Sequence, residues 1–94
     1  MSEVPDNRAR IEEMERRLRN ALDPAELSIS DDSHHHVGHP GARDGRGHFT
    51  VRIRAAAFDG RSRLDRHRLV YEALGDMMRT DIHALSIRAV GGAE

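Results

Sequence analysis

The sequence predicts a small α+β domain of two layers, with helices covering one face of a three-stranded mixed sheet. Two observations predict it. Residues 48–57 alternate apolar and polar side chains, as a strand with one wet face does. On either side of that strand the apolar residues change to helical spacing. Ile11, Met14, Leu18 and Leu22 recur at steps of three and four, and Leu69, Val70, Ala73, Leu74, Met77 and Met78 form a stripe two residues wide.

Taken in order, residues 1–5 and 91–94 read as frayed ends. Asp6 or Asn7 caps a first helix running to about Leu22. Its outer face mixes Glu12, Glu13 and Glu15 with Arg16, Arg17 and Arg19, a solvated face with i,i+4 pairing. Asp23-Pro24 ends it, because the residue before proline avoids the right-handed helical region. Glu26 to Ser30 alternates Leu27 and Ile29 against Ser28 and Ser30, a short first strand.

Asp31 to Gly47 reads as a long loop rich in Gly, Pro, Asp and Ser, longer than connections usually are. His48 to Phe58 is the second strand, with Phe49, Val51, Ile53 and Ala55 inward and Arg52 and Arg54 outward. Asp59-Gly60 makes a turn, and Ser62 or Asp65 caps the next helix, which stops near Arg79-Thr80. In the last strand, Ile82 to Val90, Leu85, Ile87 and Ala89 share one face, opposite Ser86 and Arg88. The first two strands should pair antiparallel across the loop. The third follows a helical crossover, so it should lie parallel to the second. Phe49, Val51, Ile53, Leu69, Leu74, Met77, Leu85 and Ile87 are the expected core.

Composition narrows the function. The chain has 94 residues, enough for one domain, and its formal net charge of −1 gives no overall field that attracts nucleic acid. All fifteen basic residues are Arg. There are no cysteines, so any metal bound by this chain alone uses His, Asp or Glu, and thiolates must come from elsewhere. No apolar run approaches membrane-span length and no signal-peptide core opens the chain, which makes the cytoplasm the expected compartment. No cysteine nucleophile, phosphate-cradling glycine loop or serine-elbow motif is present, so an enzyme is not expected.

Three clusters carry chemistry. The first is the histidine-rich loop, in which His34, His35, His36 and His39 place four of the seven histidines within six residues. Such tracts suit borderline transition metals, although a plain polar loop has the same composition. The second is His83, at the first residues of the last strand with the parity of Leu85, Ile87 and Ala89, hence expected on the buried-face side where the core opens to solvent. A lone histidine there is commonly structural. The third is the Arg-rich start of the second long helix, Arg61, Arg63, Arg66, His67 and Arg68. Arg66 falls within the apolar stripe, where its stem packs and its guanidinium bonds turn carbonyls. The others read as a surface for DNA or a protein partner.

Arg66-His67-Arg68-Leu69-Val70-Tyr71 followed by Ile82-His83-Ala84-Leu85-Ser86-Ile87 resembles the signature of the BolA family, as do the Ser33-to-His36 run and His48-Phe49. The resemblance spans roughly residues 8–90. It implies a class II KH-like fold, α-β-β-α-α-β, whose second α would be a short turn around Ser62 to Asp65. Ordinary KH-type RNA binding is not expected of these residues, because Gly60 is followed by Arg61-Ser62-Arg63 without a second glycine. The resemblance also implies an adaptor that binds a monothiol glutaredoxin and shares a [2Fe–2S] cluster, in iron–sulfur trafficking or iron sensing. In that reading His83 is one iron ligand and a loop histidine the other. His36 matches the motif position best, with His34, His35 and His39 as rivals. The glutaredoxin cysteine and glutathione supply the thiolates. Two imidazoles replace two thiolates on one iron in Rieske centres, so the chemistry is coherent. The alternative is a DNA-binding transcriptional regulator using the Arg-rich helix start together with Arg52, Arg54 and Arg88. Free of partners, the protein is expected as a monomer or a weak homodimer.

Overall fold

The computed structural model describes residues 7–32 and 47–93. Its elements are α1 (Asn7–Leu22), β1 (Glu26–Asp31), β2 (Gly47–Ala55), a 3-10 turn (Ala56–Phe58), α2 (Arg63–Leu74), α3 (Met77–Thr80) and β3 (Ile82–Gly91). The sheet order is β1-β2-β3. β1 pairs antiparallel with β2, Leu27 opposite Ile53 and Ile29 opposite Val51, while β2 and β3 run parallel with Val51 beside Ile87. This is the expected two-layer α+β sandwich.

The alternation in β2 decides the layering. Phe49, Val51, Ile53 and Ala55 are all buried, whereas Arg52 is exposed and Arg54 half-buried on the other face. A register slip of one residue would exchange those two sets. Against this apolar face, which Ile87 of β3 extends beside Val51, lie Met14, Leu18 and Leu22 of α1, Val70 and Leu74 of α2 and Met77 of α3. Leu69 and Leu85 pack at the rim of this core and remain partly exposed. Full burial of one such side chain stabilises by about 1.5–3 kcal/mol, so the central strand alone anchors the domain.

Three local features differ from the sequence reading. β2 ends at Ala55, not Phe58. An extended chain would carry Phe58 to the wet face with Arg52 and Arg54, and the 3-10 turn rotates it fully into the core instead. The short second helix lies after the long one rather than around Ser62 to Asp65. Ser62 is the N-cap of α2, its Oγ accepting from the Asp65 N–H at 3.1 Å. The break falls at Gly75, whose φ of +58° a residue with a side chain rarely adopts, and the chain restarts as α3. Lastly, the chain stays tied down past Val90: Gly91 is buried and the Gly92 N–H donates to Asp59 Oδ1 at 2.8 Å.

Polar contacts lock α1 onto this frame. Arg17 donates from Nη1 to the Leu74 carbonyl (2.6 Å), which caps the end of α2, and to Asp76 Oδ1 (2.9 Å), while its Nε donates to Glu13. Arg16 also engages Glu13, so two guanidinium groups hold that carboxyl well below its ordinary value, at about 2. Arg17 likewise lowers Asp76. At the other end of α1, Arg10 is only 8% exposed and donates from Nε to Asp81 Oδ1 at 3.1 Å and from Nη1 to Asn7 Oδ1 at 3.0 Å. Asn7 in turn donates from Nδ2 to Asp31 Oδ2 at 3.0 Å.

Candidate functional site

That Arg10 network sits at the end of the sheet where β1 finishes and β2 and β3 begin. Backbone bonds close the same end: the Asp32 N–H donates to the His48 carbonyl (2.7 Å) and the Gly47 N–H to the Asp81 carbonyl (2.9 Å). Between these ties the β2–β3 ladder changes register. Gly47 faces Ile82, but His48 faces Ala84, so His83 is the extra residue of a β-bulge.

The bulge corrects the expected placement of His83. Simple alternation gives it the parity of Leu85 and Ile87 and turns it to the buried side. With an extra residue inserted, Ile82 and Leu85 can both turn inward despite their odd spacing, and His83 is exposed. Its ring lies against His48, centroids 5.0 Å apart and planes tilted by 55°. His48 itself is buried, 6% exposed. The sequence reading names His48 only as the start of a strand and misses this pairing. The signal was the phase break between Ile82 and Leu85. His34, His35, His36 and His39 lie outside the described residues. Among the described residues no group of three or more His, Cys, Asp or Glu converges to hold a metal.

The Arg-rich cluster divides. Arg66 is structural, as its place in the stripe suggests: Nε donates to the Arg61 carbonyl (3.1 Å) and Nη1 to the Ala89 carbonyl (3.1 Å), fastening α2 to the edge of β3. Arg61 donates from Nε to the Ala57 carbonyl at 2.9 Å. Arg68 points away, 4.0 Å from Asp65. Arg61, Arg63, Arg66 and His67 together with Arg88 line a groove of about 450 Å³ between the start of α2 and β3, and no carboxylate lines it. On the outer sheet face Arg54 is held by Glu26 Oε2 (3.1 Å) and the Gly91 carbonyl (3.2 Å).

Residues 18–94 match the family described as BolA-like protein. The chain belongs to the BolA-like family. The BolA domain of SufE1 from Arabidopsis thaliana superposes with a TM-score of 0.81 at 42% identity, covering 90% of this chain and 94% of that one. Among curated relatives, the chloroplastic protein BOLA1 of Arabidopsis thaliana is 42% identical over 85 residues, 87% of this chain and 52% of that protein. SufE-like protein 1 of the same plant, chloroplastic or mitochondrial, is 45% identical over 83 residues, 83% of this chain and 22% of that protein. This chain therefore spans about half of one relative and about a fifth of the other. A third relative, from Escherichia coli strain K12, is named DNA-binding transcriptional regulator BolA; it is 34% identical over 76 residues, 81% of this chain and 70% of that protein. Among the described residues of this BolA-like chain, no helix is long and apolar enough to cross a membrane.

Proposed function

We propose that this BolA-like chain is an adaptor that binds a monothiol glutaredoxin and shares a [2Fe–2S] cluster with it, in iron–sulfur trafficking or iron sensing. The observation that carries the reading is the exposed imidazole of His83, presented by a bulge on a strand that is hydrogen-bonded on its inner side. A chain with no cysteine can ligate only part of such a cluster. The donor set fits a cargo whose remaining ligands, the glutaredoxin cysteine and glutathione, are thiolates. His83 would hold one position on an iron, with His36 first among the loop histidines for the second. An imidazole in place of a thiolate raises the reduction potential and dissociates more readily, which suits a cluster that is passed on.

The test is reconstitution of the chain with a monothiol glutaredoxin, iron, sulfide and glutathione, followed by visible absorption and circular dichroism. His83→Ala should remove the mixed-ligand signature and leave the far-ultraviolet spectrum intact. A His83→Ala protein that forms the same complex with an unchanged visible spectrum sinks the assignment.

The groove lined by Arg61, Arg63, His67 and Arg88 favours a second reading, DNA contact, in line with the name of the Escherichia coli relative. Because Arg61 and Arg66 are partly engaged by backbone carbonyls, Arg63 and Arg88 are the side chains to replace. Arg63→Gln with Arg88→Gln should weaken duplex binding and reduce its salt slope by about 1 for each phosphate no longer neutralised. Binding that is absent at moderate salt before any substitution removes this reading.

A further inference from the structure

The helices leave one face of the sheet uncovered, and the strand register sets the side chains of that face in rows. Ser28 faces Arg52 and Arg52 faces Arg88, which makes one row across β1, β2 and β3. Glu26, Arg54 and Val90 make the row on one side of it. Ser30, Thr50 and Ser86, all small hydroxyl side chains, make the row on the other. The two rows that hold arginine are built differently. Arg54 has its counter-charge, Glu26 Oε2, at 3.1 Å. Arg52 instead stands beside Arg88, on strands about 4.8 Å apart. Both are exposed, and among the described residues neither makes an ion pair. Like charges directly opposite each other in a ladder destabilise it. A face kept polar only for solubility has no reason to pair Arg54 and to set Arg52 against a second guanidinium. Ser28, Arg52 and Arg88, with Glu26, Arg54 and Val90, line a basin of about 390 Å³ on this face.

We propose that Arg52 and Arg88 together bind one phosphomonoester group, free or carried on a side chain, whose remainder is neutral or cationic. Two guanidinium groups balance the double charge of a phosphomonoester, and their planar donor forks match its oxygens bidentately. The bound anion replaces the repulsion between the two arginines with a shared attraction. Ser28 is exposed and adds a hydroxyl to the same row. Glu26 sets the selectivity. It pairs with Arg54, two residues and roughly 6.6 Å along β2 from Arg52, and its side chain is 73% exposed. Its carboxylate repels a second phosphate and attracts a cation, so the basin disfavours a diphosphate or a polynucleotide. Val90 gives the remainder of the ligand an apolar wall. The site lies on the face away from the helices and is independent of the adaptor reading. Arg88 also lines the groove beside α2 but Arg52 does not, so Arg52 tells the two apart.

The experiment titrates the ¹⁵N-labelled full chain and follows its backbone amide shifts. The probes are O-phosphoserine, a peptide of neutral and basic residues carrying one phosphoserine, its unphosphorylated twin, inorganic phosphate, inorganic diphosphate and an oligothymidylate. The amides of Ser28, Arg52, Arg88 and Val90 should shift with both phosphoserine probes while those of Arg61 and Arg63 stay in place, and the unphosphorylated peptide should shift none of them. Arg52→Gln, on an exposed position that the core does not use, should keep the fold and weaken phosphoserine binding at least tenfold. Glu26→Gln should tighten diphosphate binding several-fold. A phosphopeptide at least tenfold tighter than O-phosphoserine supports the site and assigns its ligand to a partner protein. Equal affinities of the two support the site and assign it to a free small molecule. Inorganic phosphate bound as tightly as either phosphoserine probe makes the occupant an adventitious ion only and overturns the proposal. So does an oligothymidylate that binds through Arg52 more tightly than the phosphopeptide, a phosphoserine affinity unchanged within twofold by Arg52→Gln, or no response to either phosphoserine probe at tens of millimolar.

Discussion

Arg10 offers the sharpest test of how the histidine end of the sheet is held. Its side chain is 8% exposed and links α1 to the residue that precedes β3. Arg10→Leu keeps an apolar stem in the same space and removes two hydrogen bonds, one to the Asp81 carboxylate and one to the Asn7 amide oxygen. A hydrogen bond between charged groups contributes about 1.5–3 kcal/mol and one to a neutral partner about 0.5–1.5 kcal/mol. Asp81 is 35% exposed, so water recovers part of its solvation and the loss falls in the lower half of the summed range, about 2–3 kcal/mol. For a domain of this size that lowers Tm by roughly 10–20 °C. The assay is urea denaturation followed by circular dichroism, on Arg10→Leu, Asp81→Asn and the double variant. A coupling energy of at least about 1 kcal/mol is expected between the two sites. Additive single effects, or an Arg10→Leu protein within about 0.5 kcal/mol of the parent, refute the reasoning.

Further outcomes follow from other contacts. Glu13 has its carboxyl held at about 2, below its ordinary 4.5, by Arg16 and Arg17, and Arg17 lowers Asp76 as well. A depressed carboxyl stabilises the fold fully above its unfolded value and loses that contribution as pH falls through its folded value. Acid unfolding should therefore steepen below 4.5 and extend toward about 2, and Glu13→Gln should flatten that limb in a pH titration of Tm. Gly75→Ala places a Cβ at a φ of +58° and 3.5 Å from Arg17 Nη1, and should cost about 1–3 kcal/mol in urea melts; a neutral result means that the helix break can relax. Val51→Ala empties space on the fully buried central strand and should cost about 2 kcal/mol or more, while Arg52→Ala on the opposite face should stay within about 0.5 kcal/mol.

Most of the fold is legible in the sequence because β2 is buried on one face only, and Phe49, Val51 and Ile53 against Arg52 and Arg54 leave one register for the sheet. The helical stripe from Leu69 to Met78 is likewise real, yet it runs unbroken through a break between two helices, because Met77 and Met78 keep the same face after Gly75 redirects the backbone. The site reads less well. A bulge consists of a single inserted residue, and alternation extrapolated across it reverses every side chain on the far side. Phe58 and Ile82 both sit out of phase with their strands, and in each case the large apolar side chain out of phase marks where the strand geometry fails. The Arg10–Asp81 pair spans 71 residues, and no local pattern announces a contact at that separation.

The clasp between Arg66 and the Ala89 carbonyl bears on how copies of this domain avoid one another. β3 is a border strand, ten residues long and rich in aliphatic side chains, the type of segment that invites a foreign strand to dock. Arg66 occupies one of its carbonyls, Arg88 sets a charge beside it, and the irregular step at His83 spoils the straight run of donors and acceptors at its start. The same guanidinium that fastens α2 therefore also acts as a gatekeeper against runaway strand addition. In Arg66→Ala protein, loss of that guard should show as concentration-dependent light scattering before any loss of helix content.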